Sequence, residues 1–174
     1  MQINMRKTII GVMGAGNLAD PTDLDNAYKL GQLIAQNGWI LLTGGRKAGV
    51  MEAASKGAKM AGGLTVGILP GNNTDNLADD VDIAIVTDLG NARNNINVLS
   101  SDVVIACGMG TGTASEVALA LKNQKKVILL TENQESKQFF SGLSPENILI
   151  ANTPEQAIAL VKQIILQHSL TTNQ

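Results

Sequence analysis

The chain has one cysteine, no long apolar run and no excess of positive charge. The lone Cys107 excludes an internal disulfide, and no Cys/His set with metal-ligand spacing accompanies it, so no metal site is expected. The absence of any stretch of about 18 apolar residues excludes a membrane-spanning helix. The apolar segment Thr8–Val12 is too short and too glycine-broken for the core of a secretory signal. A formal net charge of -2 argues against nucleic acid as a partner, which would call for a basic patch or stripe. These absences predict a soluble, cytoplasmic protein with neither membrane nor nucleic acid among its partners. What is present is ordinary globular composition, 44% hydrophobic and 16% charged, with 18 glycines that cluster and so need a local explanation. At 174 residues one domain spanning 1–174 is expected, with a flexible tail over 169–174.

Short β-branched apolar runs recur at Thr8–Met13, Trp39–Thr43, Leu64–Leu69, Ile83–Thr87, Asp102–Cys107, Lys126–Thr131 and Asn147–Ile150. They are continuous rather than alternating, the pattern of strands buried on both faces. Helical patterns lie between them. The first spans Asp23–Gln36, with Thr22 as N-cap and Gly38 past its end. Others are Val50–Ala61, Ala92–Ser100 and Thr113–Lys122, and a last helix runs from Thr153 (N-cap, followed by Pro154) to Gln167. Strand–helix alternation of this kind predicts a Rossmann-like three-layer α/β/α fold with a mainly parallel sheet of about six or seven strands. The polar segment Gly71–Asp80 is expected to be irregular.

Three glycine-rich loops directly follow strands, where open α/β sheets bind ligands. They are Gly14-Ala15-Gly16-Asn17, Gly44-Gly45-Arg46-Lys47-Ala48-Gly49, and Gly108-Met109-Gly110-Thr111-Gly112-Thr113. Glycine lets backbone N–H groups close on an anion, and a helix N-terminus adds partial positive charge. Convergence of the three loops predicts a groove for a small phosphorylated ligand, although each could serve only as a tight turn. Two nucleotide motifs fail. Gly14–Ala19 matches the dinucleotide fingerprint, but Asp20-Pro21 interrupts before the helix and the second strand ends in Thr43-Gly44-Gly45, without an acidic residue for a ribose. The third loop lacks the G-K-[S/T] ending of an ATP-hydrolysing phosphate loop.

The spacing Gly44-Gly45-x-x-x-Gly49-Val50-Met51, Gly62-Gly63-x-x-Val66-Gly67-Ile68-Leu69-Pro70, Arg93, then Gly110-x-Gly112-Thr113-x-x-Glu116 resembles the Lonely Guy family of Rossmann-like phosphoribohydrolases. Those enzymes release a base from nucleoside 5′-monophosphates. The resemblance covers about residues 7 to 131 and is nearest to the family's molybdenum cofactor carrier branch, which binds a phosphorylated molybdopterin without cleaving it. It implies phosphate binding by Gly110, Gly112 and Thr113, closed by Glu116, within a loop Gly108–Thr113, Thr111 included, that holds the ligand's phosphate. It also implies Arg93 and Glu116 as the catalytic pair if the chain is a hydrolase acting on an AMP-like nucleotide. A nearby carboxylate would then stabilise the oxocarbenium-like state of glycosidic cleavage.

Three departures favour the carrier. Gly108 replaces the signature proline, Met109 its next glycine, and Asn94 the lysine that follows the arginine in hydrolases. Asn91 and Asn94 offer amides that can read a ring edge without acid–base power. Arg46 and Lys47 add cations suited to the phosphate and anionic oxo-metal head of molybdenum cofactor. The resemblance further implies a homodimer or homotetramer built through the helices at Ala92–Ser100 and Thr113–Lys122, with molybdoenzymes or cofactor-synthesis proteins as partners.

Each of these residues also has a plainer reading. Thr113-Ala114-Ser115-Glu116 has capping-box spacing, which alone would justify Glu116. Arg93 near a helix start opposes the local dipole, which points to a ligand contact. Arg46 and Lys47 could be solvated loop charges, and Cys107 reads as a small core residue.

Overall fold

A computed structural model describes residues 6–171. The elements in chain order are β1 (Ile9–Gly14), α1 (Pro21–Gln36), β2 (Ile40–Thr43), α2 (Gly49–Met60), β3 (Thr65–Leu69) and β4 (Ile83–Val86). A 3-10 turn at Gly90–Ala92 leads into α3 (Arg93–Ser100). Then follow β5 (Val103–Cys107), α4 (Thr111–Lys122), β6 (Val127–Leu130), α5 (Gln134–Leu143), β7 (Ile148–Ala151) and α6 (Pro154–Thr171). The seven strands form one sheet in the order β4-β3-β2-β1-β5-β6-β7, every pair parallel.

Successive side chains of a strand point to opposite faces, and the sheet uses both. Ile10 and Val12 of β1 and Val103, Ile105 and Cys107 of β5 join α1, α2 and α6 in one core. Met13, Val104 and Ala106 join α3, α4 and α5 in the other. Strands buried between two helical layers explain the uninterrupted Val/Ile/Leu runs. The edge strands are the exception: Ile83, Ile85 and Val86 of β4 and Ile150 of β7 remain 43–47% exposed.

Strand order reverses at β1, since β2 lies on one side of it and β5 on the other. The register pairs Gly14 with Cys107, so the loops leaving β1 and β5 start side by side. They then diverge to α1 on one face and α4 on the other, which opens a crevice at the carboxyl ends of the strands.

Three local expectations need correction. The N-cap of α1 is Asp20 rather than Thr22: its Oδ1 accepts from the Asp23 N–H at 2.9 Å, and Pro21 takes the first helical position. Asp20-Pro21 therefore starts the helix instead of interrupting it. A helix of ten residues, α5, fills the segment between β6 and β7, where none was expected; Asn133 caps it by accepting from the Ser136 N–H at 2.7 Å. Finally, α6 begins as expected, with Thr153 Oγ1 accepting from the Gln156 N–H at 3.2 Å, but continues to Thr171. The rest of the expected tail lies outside the described residues. No helix among the described residues is long and apolar enough to cross a membrane.

Candidate functional site

The crevice opens into a groove of about 530 Å³ above β1, β2 and β5, within the usual range for a small-molecule site. The loop after β5 forms one wall. Gly108 holds φ at +72°, which a proline ring could not adopt, and a methyl group there would meet Asp23 Oδ2 at 2.0 Å. Its amide is spent on Leu130 O at 2.9 Å. From Met109 to Thr113 no amide has an acceptor among the described residues; the first helical bond runs from the Ala114 N–H to Gly110 O at 2.8 Å. Helix α4 starts at Thr111, with Gly110 in the N-cap position and no side chain capping it. Unpaired amides at a helix N-terminus, in open space, form an anion cradle.

The earlier start of α4 also dissolves the capping box. Thr113 sits in the third helical position, its hydroxyl buried without a partner. Glu116 lies a turn further in and does not reach back to the helix start. It is 7% exposed, and its Oε1 accepts from Asn97 Nδ2 of α3 at 2.8 Å. Burial pushes its carboxyl up to about 7, against the opposing pull of Asn97 and of the Arg93 charge.

Arg93, the first residue of α3, is 8% exposed, and its Nε and Nη1 have no hydrogen-bond partner. No ion pair links it to Glu116. Burial lowers its pKa, Glu116 partly offsets this, and Arg46 adds to the lowering. Arginine stays charged regardless, so the groove contains a buried cation without a counter-ion. The guanidinium lies directly against Gly44: a methyl group at that position would meet Nη1 at 2.1 Å. Gly44 is therefore glycine because the arginine needs its space.

The loop after β2 behaves differently. The Gly45 N–H donates to Thr43 Oγ1 (3.1 Å), that of Lys47 to Asn76 O (2.8 Å) and that of Ala48 to Arg46 O (2.8 Å). With the Ala78 N–H bonded to Gly45 O, these contacts pin the irregular Gly71–Asp80 segment against the loop. Arg46 is exposed and lines the groove. Lys47 does not; its Nζ bonds Asp79 Oδ2 at 2.6 Å.

The groove thus brings together Gly14, Gly16, Asn17, Gly44, Arg46, Asn91, Arg93, Asn94, Gly110, Thr111, Gly112, Thr113 and Glu116. The expected residues Gly45, Lys47, Gly49 and Gly108 are not among those that line it; they shape or brace the loops behind it. Asn94 Nδ2 donates to Ser115 Oγ at 2.9 Å, tying α3 to α4 across the groove. Of the apolar lining, Met109 was readable from the sequence both as packing and as a groove residue, whereas sequence reasoning missed Leu18, which is 94% exposed, and took Met51 for packing alone. The available signal was that each directly borders a glycine loop or its helix. Cys107, at the end of β5, is fully buried, and burial together with Asp23 and Asp20 raises its thiol pKa.

Comparison with known proteins places the chain among relatives of the same fold. The model of the SLOG cluster4 family matches residues 7–158. The solved structure of the molybdenum cofactor binding protein from the phototrophic bacterium Rippkaea orientalis is 69% identical, with a TM-score of 0.92 over 92% of this chain and 99% of that one. The Moco carrier protein from Chlamydomonas reinhardtii is 54% identical, with a TM-score of 0.88 over 93% and 99%. A cytokinin riboside 5′-monophosphate phosphoribohydrolase from Mycobacterium tuberculosis is 38% identical over 104 residues, 57% of this chain and 56% of that protein.

Proposed function

Because the chain belongs to the SLOG cluster4 family, and is similar along nearly its whole length to two molybdenum cofactor binding proteins, we propose that it is a molybdenum cofactor carrier. It holds a phosphorylated molybdopterin without cleaving it, in the cytoplasm, as a one-domain protein. The observation that carries this reading is the pairing of free amides from Met109 to Thr113 with the unpartnered Arg93 in one open groove. A buried cation without a partner costs free energy, which an anionic ligand recovers through charge-assisted hydrogen bonds.

The cargo fits this donor set. Its phosphate suits the amides of Gly110, Thr111, Gly112 and Thr113, and its anionic head suits Arg93 and Arg46. Asn91 and Asn94 supply amides for the ring edge, while Leu18 and Met109 offer apolar surface to a flat heterocycle. The chain's residues bind and shield; they contribute no bond-breaking step.

Native mass spectrometry and thermal shift against molybdenum cofactor, its metal-free form and AMP test the proposal. A ligand at 100 times its Kd stabilises by about 2.7 kcal/mol. Both pterin forms should stabilise the protein well beyond AMP, and the reverse ranking overturns the carrier reading.

Arg93 and Glu116 facing one groove is the observation that favours a phosphoribohydrolase instead. Base release from AMP that disappears in Glu116→Gln would establish that activity. The carrier reading also takes α3 and α4 as a self-association face for a homodimer or homotetramer. Leu99 of α3 is 48% exposed, and a shallow cavity of about 570 Å³ lies between Asn95, Leu119 and Lys122. Sedimentation as a monomer at micromolar concentration would remove this part. Molybdoenzymes or cofactor-synthesis proteins are the corresponding delivery partners, testable by pull-down with loaded protein.

A further inference from the structure

We propose that Glu116 binds the ligand as a neutral carboxylic acid, donating its proton to an anionic oxygen, so that each anionic ligand is captured together with one proton. This rests on the anion-binding reading of the groove and assigns to Glu116 a role in recognition, distinct from that of a catalytic carboxylate.

The geometry leads there by elimination of partners. Glu116 is more than nine-tenths buried and lines the groove, yet only Asn97 Nδ2 bonds it, at Oε1. Its other oxygen has no hydrogen bond among the described residues. The one cation close enough to influence it, Arg93, forms no ion pair with it and leaves Nε and Nη1 unused. The strands beneath α4, which are β1, β5 and β6, carry no charged residue at all. Around Glu116 the charged groups are therefore Arg93 from α3 and, beyond it, Arg46 from the loop after β2.

Charge balance then decides between the two forms of the acid. A phosphate monoester above pH 7 is close to a dianion. The groove's two cations, Arg93 and Arg46, face the ligand's anionic head, so the ligand's negative charge already exceeds the positive charge available to it. An ionised Glu116 in the same low-dielectric groove would add to this surplus, and like charges at a shared site raise the pKa of one member. A neutral Glu116 removes the repulsion and adds a short O–H···O⁻ hydrogen bond from the oxygen that Asn97 leaves free. Burial already holds this carboxyl at about 7 in the ligand-free protein, so the proton is taken up near neutrality. The proton goes from solvent to Glu116 on binding and returns to solvent on release; no bond of the ligand changes.

The experiment is calorimetric titration of the full chain with 6-hydroxymethylpterin phosphate between pH 6 and pH 9. At pH 8 it is repeated in buffers of different ionisation enthalpy to count protons. Sulfate, whose charge is constant over this range, serves as a ring-free second probe. Wild-type affinity for sulfate should fall roughly tenfold per pH unit above 7, with close to one proton taken up at pH 8. In Glu116→Gln the amide still donates but cannot ionise. Its sulfate profile should be flat, proton uptake should vanish, and at pH 9 it should bind tenfold or more tighter than wild type. Titration of the pterin ring is common to both proteins and cancels in their difference. Proton counting on the wild type keeps the test decisive even if the variant fails to fold. A flat wild-type profile with no proton uptake overturns this proposal alone, because the anion site would still bind. Failure of both probes to bind at any pH overturns the anion-site reading and this inference with it.

Discussion

The loops after β2 and β5 carry three glycines each and put their backbones to opposite uses. Both are glycine-rich, both follow a buried parallel strand, and both open a helix. After β2, the amides of Gly45, Lys47 and Ala48 are bonded within the chain, and the loop braces the segment at Gly71–Asp80. After β5, the amides from Met109 to Thr113 are all left over. Glycine content therefore marks where backbone approaches something closely; only the fate of the N–H groups distinguishes another part of the chain from a ligand. The backbone of the first loop serves stability and that of the second binding, while Arg46 and Arg93, the latter packed against Gly44, bring positive charge into the groove.

The sharpest way to break this division is Arg93→Met. Charge-assisted hydrogen bonds contribute about 1.5–3 kcal/mol each, so losing two should weaken ligand binding by about 100-fold or more. Because the guanidinium has no partner at Nε or Nη1, thermal stability should hold or rise. A large drop in Tm with modest loss of binding would show that Arg93 belongs to the scaffold instead.

Glu116 gives the next largest effect. Its carboxyl is raised in the folded protein from 4.5 to about 7, so the native state keeps a proton that the unfolded chain has released. The resulting stability is complete below pH 4.5 and is lost as pH rises to 7, by at most about 3 kcal/mol. Denaturant titrations of ligand-free protein at pH 5 and pH 7.5 should reveal this decline, and Glu116→Gln should flatten it.

Two glycine substitutions then separate the loops directly. Gly45 has φ of +71°, and a methyl group there would meet the Gly67 Cα at 2.9 Å. Gly45→Ala should cost about 1–3 kcal/mol in chemical denaturation with ligand affinity unchanged in the remaining folded protein. Gly112→Ala is the counterpart: nothing lies within 4 Å of the added methyl, and alanine favours the helix by up to about 1 kcal/mol. That variant should be at least as stable as wild type while binding the phosphorylated ligand several-fold more weakly. Equal behaviour of the two variants in both assays would erase the distinction.

All seven strands were legible as apolar runs; burial between two helical layers explains the inner ones, whereas the edge strand β4 is apolar although its residues stay exposed. Helix α5 was not, since Gln134–Leu143 buries only Lys137 and Phe140 and exposes Phe139 and Leu143, which leaves no apolar stripe to read. Within the site, Arg93 was legible as a cation misplaced at a helix start. The role of Glu116 was obscured by a spacing that fits a cap whenever the helix is taken to begin at Thr113; it begins at Thr111, and two residues change what the carboxyl can reach. Lys47 and Arg46 are adjacent and equally charged, and only the fold shows that Asp79 claims one of them. Leu18 and Met51 escaped because apolar residues beside glycine loops look like packing until the groove is seen.

The buried position of Cys107 has a practical corollary. The chain's sole sulfhydryl lies at the end of β5 with no solvent contact and an elevated pKa, so almost no thiolate forms and oxidants do not reach it. A dithiolene-bearing cargo would therefore meet no competing sulfur nucleophile on its host. Purified protein should keep its full complement of free thiol in air, and labelling reagents should find it only after denaturation.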